Sequence, residues 1–228
     1  MPVVGDWDGN GSATIGVKRA NTFFLRNSNS SGVADVALTY GDPGDLGLTG
    51  DWDGNGTVTI GVWRQGAFYL RNSNTSGAAD AAAGFGDPTD VPIVGDWDGN
   101  GSATIGVWRA GRFFLRNSNG DGNPDAVVDY GDPGDVPIVG DWDANGTVTV
   151  GVWRAGLFYL RNSNTSGAAD VVVGFGDPSD VPVVGDWDGN GTDTPGVRRG
   201  PVFYLSNDGS GTALASAVAE YGGPTTVG

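Results

Sequence analysis

The chain contains no cysteine and no histidine, and no stretch approaches the ~20 consecutive apolar residues of a membrane helix. The missing cysteine excludes disulfides, and the missing histidine removes the most common general base and transition-metal ligand. Lysine and arginine number 12 against 27 aspartates and glutamates, which gives a formal charge of −15. Nucleic acid and anionic membranes are therefore disfavoured as partners, because both require basic surfaces.

One stretch recurs along the whole chain, Asp-Trp-Asp-Gly-Asn-Gly. It begins at positions 6, 51, 96, 141 and 186, always 45 residues apart, and its only change is Ala144. A fixed period in this range is typical of propellers, solenoids and arrays. Five copies fill the 228 residues almost completely, which predicts a single domain over 1–228. No signal peptide precedes the repeats, so we expect a mature or excised domain that begins inside a repeat.

The second repeat shows the local pattern. Residues 57–63 alternate between apolar and other residues, and further short runs typical of strands lie at 68–71, 80–85 and 91–94. Turns rich in Gly, Asp and Pro separate these runs, and no window has a helical period. Four strands per 45 residues predict an all-β, five-bladed β-propeller.

The two ends of the chain carry complementary parts of the repeat. The chain opens on the strand-like stretch 2–4 and ends on 221–227, the turn that normally precedes such a strand. We therefore expect strands from both termini to complete one blade together and close the ring, which would leave no exposed sheet edge.

Two loops in each repeat offer oxygen side chains at alternating positions followed by a glycine, which is typical of the first part of a calcium loop. The recurring stretch forms the first loop. The second loop is clearest in the third repeat, where Asn117, Asn119, Asp121 and Asp125 stand at positions 1, 3, 5 and 9.

On these loops, and on the Phe-Gly-Asp-Pro segments at Phe85 and Phe175, the chain resembles the FG-GAP/VCBS-type repeats of secreted bacterial proteins and integrin-like propellers. The resemblance covers essentially the whole chain. It implies a propeller that holds calcium in hairpin loops, and a secreted or cell-surface location. Carried over by position, it implies metal ligands at Asp6, Asp8, Asn10, Asp51, Asp53, Asn55, Asp96, Asp98, Asn100, Asp141, Asp143, Asn145, Asp186, Asp188 and Asn190, together with Asn117, Asn119, Asp121 and Asp125.

The first loops depart from the family at position 9, where Thr59 and its equivalents stand in place of the usual Asp. Each first loop then has two carboxylates, so we expect weak calcium binding, with Kd in the range ~10⁻⁴–10⁻³ M. In the alternative interpretation, these Asp and Asn side chains only bond their own backbone, as they commonly do in Gly-rich turns.

Tryptophan occurs at two repeated positions. The loop tryptophans are present in every repeat, which favours packing between blades over a sugar-stacking ring; they are Trp7, Trp52, Trp97, Trp142 and Trp187. At the second position, Trp63, Trp108 and Trp153 are replaced by Lys18 and Arg198 in the outer repeats. That replacement predicts a surface position, and it makes these three tryptophans candidates for ligand stacking.

An arginine also recurs in every repeat, and in so acidic a chain we expect each one to pair in a fork with an Asp. The five are Arg19, Arg64, Arg109, Arg154 and Arg199. The alternative is a ligand-facing role for Arg64, Arg109 and Arg154, each beside its tryptophan.

Catalysis is disfavoured, because a catalytic carboxylate pair needs two different environments and nearly equal repeats give every Asp nearly the same one. The one glutamate, Glu220, lies in the divergent last repeat. The leading hypothesis is a monomeric, calcium-stabilised extracellular module with repeated, lectin-like carbohydrate sites. The alternatives are a structural or protein-interaction propeller, and a designed or recently amplified repeat scaffold with no ligand.

Overall fold

The computed structural model describes residues 1–223, in which 21 strands are joined by turns. The first two sheets contain β1 (Pro2–Gly5), β2 (Thr14–Arg19), β3 (Thr22–Leu25) and β4 (Val36–Thr39), then β5 (Leu46–Gly50), β6 (Thr59–Arg64), β7 (Ala67–Leu70) and β8 (Ala81–Gly84). The third and fourth contain β9 (Val91–Gly95), β10 (Thr104–Arg109), β11 (Arg112–Leu115) and β12 (Ala126–Asp129), then β13 (Val136–Gly140), β14 (Thr149–Arg154), β15 (Leu157–Leu160) and β16 (Val171–Gly174). The fifth contains β17 (Val181–Gly185), β18 (Thr194–Arg199), β19 (Val202–Leu205) and β21 (Ala217–Glu220).

The five sheets are the blades of a five-bladed β-propeller, as the repeat predicts. Each blade has four antiparallel strands in chain order. The first strand of each blade is the innermost, and these strands contact one another around the ring. β20 (Gly211–Thr212), in the divergent last repeat, adds a short parallel strand to the outer edge of blade 4.

Within residues 1–223, the two termini do not share a blade as predicted: blade 1 consists of β1–β4, and blade 5 consists of strands from the last repeat. Residues 224–227 of the predicted closing segment lie outside the described residues. The ring closes between these two blades, where the Ala13 N–H donates to the Asp186 carbonyl at 2.7 Å. The equivalent bond joins Val58 N to Asp6 O at 2.8 Å between blades 1 and 2. A repeat of fixed length fixes the spacing of the blades but not where along the repeat a blade begins.

The strands predicted in the second repeat are present, with ends shifted by one or two residues. The first three are β6, β7 and β8, and the fourth is β9, which opens the next blade. Pro92 lies in this innermost strand, at the free edge of its sheet, where a missing backbone donor is tolerated.

The core consists of apolar clusters that each span two neighbouring blades. Between blades 2 and 3, for example, Trp52 and Phe68 pack with Ile105 and Val107. The five loop tryptophans are 6–9% exposed and belong to these clusters, which confirms that they pack between blades. Within residues 1–223, no helix has the length and apolar character needed to cross a membrane.

Candidate functional site

Antiparallel order divides the candidate residues between the two ends of the ring. The first loop follows the innermost strand and the second loop follows the third strand, so both lie at one end. The repeated arginines close the second strand and therefore lie at the opposite end, beside the turns that connect one blade to the next. The predicted metal ligands and the predicted ligand-binding arginines are thus not brought together.

The first loops use their oxygen side chains to bond their own backbone. In the second repeat, Asp51 Oδ1 accepts the Asn55 N–H at 3.0 Å and Oδ2 accepts the Gly56 N–H at 2.7 Å. Asn55 Oδ1 accepts the Thr57 N–H at 2.8 Å, and Asp53 is exposed. The other four first loops repeat these bonds.

This geometry matches the backbone-bonding interpretation, yet each bonded carboxylate oxygen retains a lone pair. In residues 1–223, no three His, Cys, Asp or Glu side chains converge in a metal-binding group. Two carboxylates and hard oxygen donors remain in each loop, so weak calcium binding there stays a prediction.

The second loop holds an arginine instead of assembling a calcium cage. The Arg116 guanidinium donates to the carbonyls of Gly120, Asp121 and Asn123 at 2.6–2.7 Å. A cation so placed repels a second cation. The predicted ligands point elsewhere: Asn119 Nδ2 donates to Ala103 O, Asp121 Oδ1 accepts the Gly84 N–H of the neighbouring blade, and Asp125 Oδ2 accepts the Asn117 N–H. This geometry does not favour calcium at Asn117, Asn119, Asp121 and Asp125, and a calcium site there stays a prediction.

The surface position predicted for Trp63, Trp108 and Trp153 is also wrong. Their exposed fractions are 5–6%, so they present no free ring face on which a ligand could stack. Lys18, which suggested a surface position, is itself buried, because its ammonium donates to the carbonyls of Ala20 at 2.5 Å and Asp45 at 2.7 Å.

The repeated arginines pair in a fork with aspartates, as predicted, at four of the five junctions between blades. Arg64 Nε and Nη2 donate to the two carboxylate oxygens of buried Asp45 at 2.7 and 2.8 Å, and Nη2 lies 2.7 Å from Asp42. These bonds from Arg64 lower the pKa of Asp45, against the opposite effect of burial. The equivalent sets are Arg109 with Asp90 and Asp87, Arg154 with Asp135 and Asp132, and Arg199 with Asp180 and Asp177.

A cleft lies between neighbouring blades beside these ion pairs, and we name each by its two blades. In the 1–2 cleft, Tyr40 forms the buried wall, Tyr69 presents a half-buried ring, and the Arg64 guanidinium lies 5.3 Å from the Tyr69 ring centre. Equivalent clefts lie between blades 2 and 3 and between blades 3 and 4. The volumes of the 1–2, 2–3 and 3–4 clefts are about 240, 340 and 220 Å³, respectively. The 2–3 and 3–4 clefts are lined at the equivalent positions by Phe85, Arg109 and Phe114, and by Tyr130, Arg154 and Tyr159.

Each cleft therefore combines a planar charged fork with an aromatic face. Arg64 and Asp42 can exchange paired hydrogen bonds with vicinal hydroxyls, and the Tyr69 ring can pack against an apolar C–H surface. The aromatic members were not among the site residues that the sequence predicted. Their signal was the recurrence of an aromatic residue every 45 positions, at Phe24, Tyr69, Phe114, Tyr159 and Tyr204.

The buried wall alternates between tyrosine and phenylalanine around the ring. The hydroxyls of Tyr40, Tyr130 and Tyr221 are buried and have no hydrogen-bond partner within residues 1–223. Burial raises the pKa of each to about 12. Phe85 and Phe175 fill the same place at the other two junctions without a hydroxyl group.

No protein-family model and no curated protein matches this chain. Among solved structures, the chain is similar to a lectin from Agrocybe aegerita, whose structure is described as the basis of specific recognition of non-reducing terminal N-acetylglucosamine. The TM-score is 0.48 at 16% identity. The alignment covers 94% of this chain, which spans 64% of the lectin chain's length. The resemblance to FG-GAP and VCBS repeats stays a prediction.

Proposed function

We propose that this propeller is a non-catalytic carbohydrate-binding module whose sugar sites are the clefts between blades. The observation that carries the proposal is the repeated association of a half-buried aromatic ring with an arginine–aspartate fork, as in Tyr69, Arg64 and Asp42. A pyranose ring has an apolar C–H face and a rim of hydroxyls, and these two surfaces match the ring and the fork.

The size of the clefts favours a single sugar unit at each junction. Volumes of about 220–340 Å³ lie at or just below the lower end of small-molecule sites, which is ~300 Å³. Shallow sites of this kind bind one sugar weakly, and several of them on one rigid ring give avidity for a branched or clustered glycan. A secreted or cell-surface location, where such glycans occur, is part of the proposal, as is stabilisation by calcium in the first loops.

The test is a glycan array, followed by calorimetry with the best monosaccharide. Phe114→Ala removes the half-buried ring of the 2–3 cleft, and we expect it to lower the number of sites without changing the affinity of the others. Asp208→Asn is the matched control, because Asp208 is exposed in the loop after β19, at the opposite end of the ring, and is not a predicted metal ligand. A triple variant, Tyr69→Ala with Phe114→Ala and Tyr159→Ala, that still binds the sugar with the original stoichiometry would overturn the assignment.

A protein partner is the second candidate, favoured by apolar side chains at one mouth of the central channel. Five equivalent residues at the start of the innermost strands are 39–49% exposed: Met1, Leu46, Val91, Val136 and Val181. Exposed apolar side chains repeated around one mouth of a ring offer a surface that a protein partner can cover. Serine substitutions at Leu46, Val91 and Val136 separate the two functions, since they should abolish protein binding and leave sugar binding intact.

A further inference from the structure

The junction between blades 5 and 1 differs from the others in charge. At the other four, the turn before the innermost strand carries two aspartates, such as Asp42 and Asp45, which face the repeated arginine. In the last repeat, which has one inserted residue, Gly223 and Thr226 stand at these two positions. Thr226 lies outside the described residues, and the sequence supplies a carboxylate at neither position.

Arg19 is the repeated arginine of this junction, and its bonds go to carbonyls. Its Nη2 donates to Gly222 O at 2.9 Å and to Gly223 O at 3.4 Å, and its guanidinium lies 5.9 Å from the Phe24 ring centre. Arg19 is exposed, and in residues 1–223 no carboxylate forms an ion pair with it.

Arg198 brings a second guanidinium to the same turn. It occupies the position of Trp63 in blade 2, and it lies 5.4 Å from the Phe203 ring centre. A Cβ built on Gly222 would lie 3.1 Å from Arg198 Nη2, so both guanidinium groups flank Gly222. Arg198 Nε is buried and has no partner in the part of the chain that the structure describes.

Within residues 1–223, this half-buried charge has no counter-ion. Burial, and then the nearby Arg19, lower the pKa of Arg198. A cation removed from water without a counter-ion costs free energy, which an anion bound between the two groups would recover. The chain's overall charge of −15 opposes an approaching anion, but at physiological salt charges more than ~8 Å away are largely screened. The charges that act on one another at this junction, those of the Met1 ammonium, Lys18, Arg19 and Arg198, are all positive.

We propose that Arg19 and Arg198, the seam arginine pair, bind the oxyanionic group of an acidic sugar, either a uronate carboxylate or a sulfate ester. The identification of the ligand as a sugar rests on the proposed function. The forked donors of arginine match the paired oxygens of both groups. At the other four junctions, two aspartates already face each arginine and leave no net positive charge, so those clefts take neutral sugars.

Calorimetry with glucose, glucuronate and inorganic sulfate tests the assignment on the full chain. We expect glucuronate to bind more tightly than glucose, and binding to weaken as salt is raised. Arg19→Gln, and separately Arg198→Trp, should each weaken glucuronate binding about tenfold or more, since each removes charged hydrogen bonds. Arg198→Trp installs the residue that three other blades carry there, which favours folding. Arg112→Gln is the matched control, because Arg112 is an exposed arginine on the outer part of blade 3.

A second variant tests the missing carboxylates directly. Gly223→Asp restores the acidic residue of the other four junctions, and it should abolish the preference for glucuronate over glucose. If glucose and glucuronate bind equally well, or if glucuronate binding survives both arginine substitutions, the anion site is overturned while the sugar-binding function stands. If sulfate binding depends on the arginine pair but neither sugar binds, the anion site stands and the sugar-binding function fails.

Discussion

Replacing Asp180 with Asn is expected to destabilise the propeller by about 2–3 kcal/mol, through the junction between blades 4 and 5. The Asp180 side chain is fully buried and accepts three hydrogen bonds: Arg199 Nε at 2.7 Å, Arg199 Nη2 at 2.8 Å and the Asp177 N–H at 2.7 Å. An amide keeps one acceptor oxygen but turns an NH₂ group toward these donors. The junction then loses charged hydrogen bonds and gains a contact between two donors.

The size of the effect follows from how far Arg199 is exposed. Removing one partner of a fully buried ion pair costs ~3–5 kcal/mol, because the remaining charge has no counter-ion. The Arg199 side chain is 47% exposed and keeps Asp177 at 2.5 Å, so water and that second carboxylate solvate it. The cost should therefore fall below the fully buried range. For a domain of this size, ~2–3 kcal/mol lowers Tm by roughly 4–12 °C.

Urea unfolding followed by tryptophan fluorescence measures this change. The matched control is Asp129→Asn, which removes the partner of Arg112 from an exposed pair, with the two side chains 52% and 63% exposed. Exposed pairs contribute ~0–1 kcal/mol, so the control should be nearly neutral. Equal effects of the two substitutions would refute the view that the forked pair stabilises the junction.

Acid titration gives an independent check on Asp180. The hydrogen bonds from Arg199 lower the pKa of Asp180 below its ordinary value of 3.8, against the opposite effect of burial. As pH falls, the unfolded chain takes up the proton first, so this stabilisation is complete above about pH 4 and is lost below it. Asp180→Asn should therefore lose less stability than the wild type on acidification from pH 5 to pH 2.

Three further substitutions or additions test other parts of the ring. Tyr130→Phe should raise the free energy of unfolding by about 1 kcal/mol, because it deletes a buried hydroxyl with no partner in residues 1–223. The reverse change, Phe175→Tyr, should lower it. A clear decrease in the stability of Tyr130→Phe, measured by urea unfolding, would contradict this reasoning. Burial raises the pKa of Asp193 to about 7, so the folded state holds a proton that the unfolded state has lost, and stability should fall as the pH rises from 4 to 7. Asp193→Val should remove that slope when both proteins are melted in EDTA. Calcium at ~5 mM should add about 1 kcal/mol per occupied first loop if Kd is ~1 mM, and an unchanged Tm between EDTA and calcium would count against these sites.

The fold could be predicted because the repeat encodes it twice, once in the 45-residue period and again in the alternation within each strand. Ile60 and Val62 point into the core, as the alternation predicts. The arrangement of the chain ends could not be obtained in this way. The sequence pattern is the same whether a blade begins at Pro2 or at Asp6. In the structure, the strand that begins at Pro2 is the innermost strand of blade 1, so the blade begins there.

The candidate site was predicted less well, because composition does not report which atoms a side chain reaches. Lys18 suggested a surface position, although its apolar stem is buried and its ammonium bonds two carbonyls. The loop after Arg116 has a spacing typical of calcium ligands, but the arginine immediately before the loop already supplies the cation. In both places, backbone carbonyls determine where the charged group lies, and a sequence pattern does not reveal the positions of those carbonyls.

The five junctions share their backbone geometry but not their charge, and this difference bears on where function can vary. The bond from Ala13 N to Asp186 O closes the seam at 2.7 Å, although the seam has no carboxylate at the positions of Asp42 and Asp45. Main-chain bonds, apolar packing and the bonds from Arg19 to the Gly222 and Gly223 carbonyls therefore close the ring here without an aspartate–arginine pair. The ion pairs stabilise the individual junctions without specifying the topology, so charge can change at one junction while the fold is kept. Differences in ligand preference among the clefts should accordingly follow the aspartates and arginines of each turn.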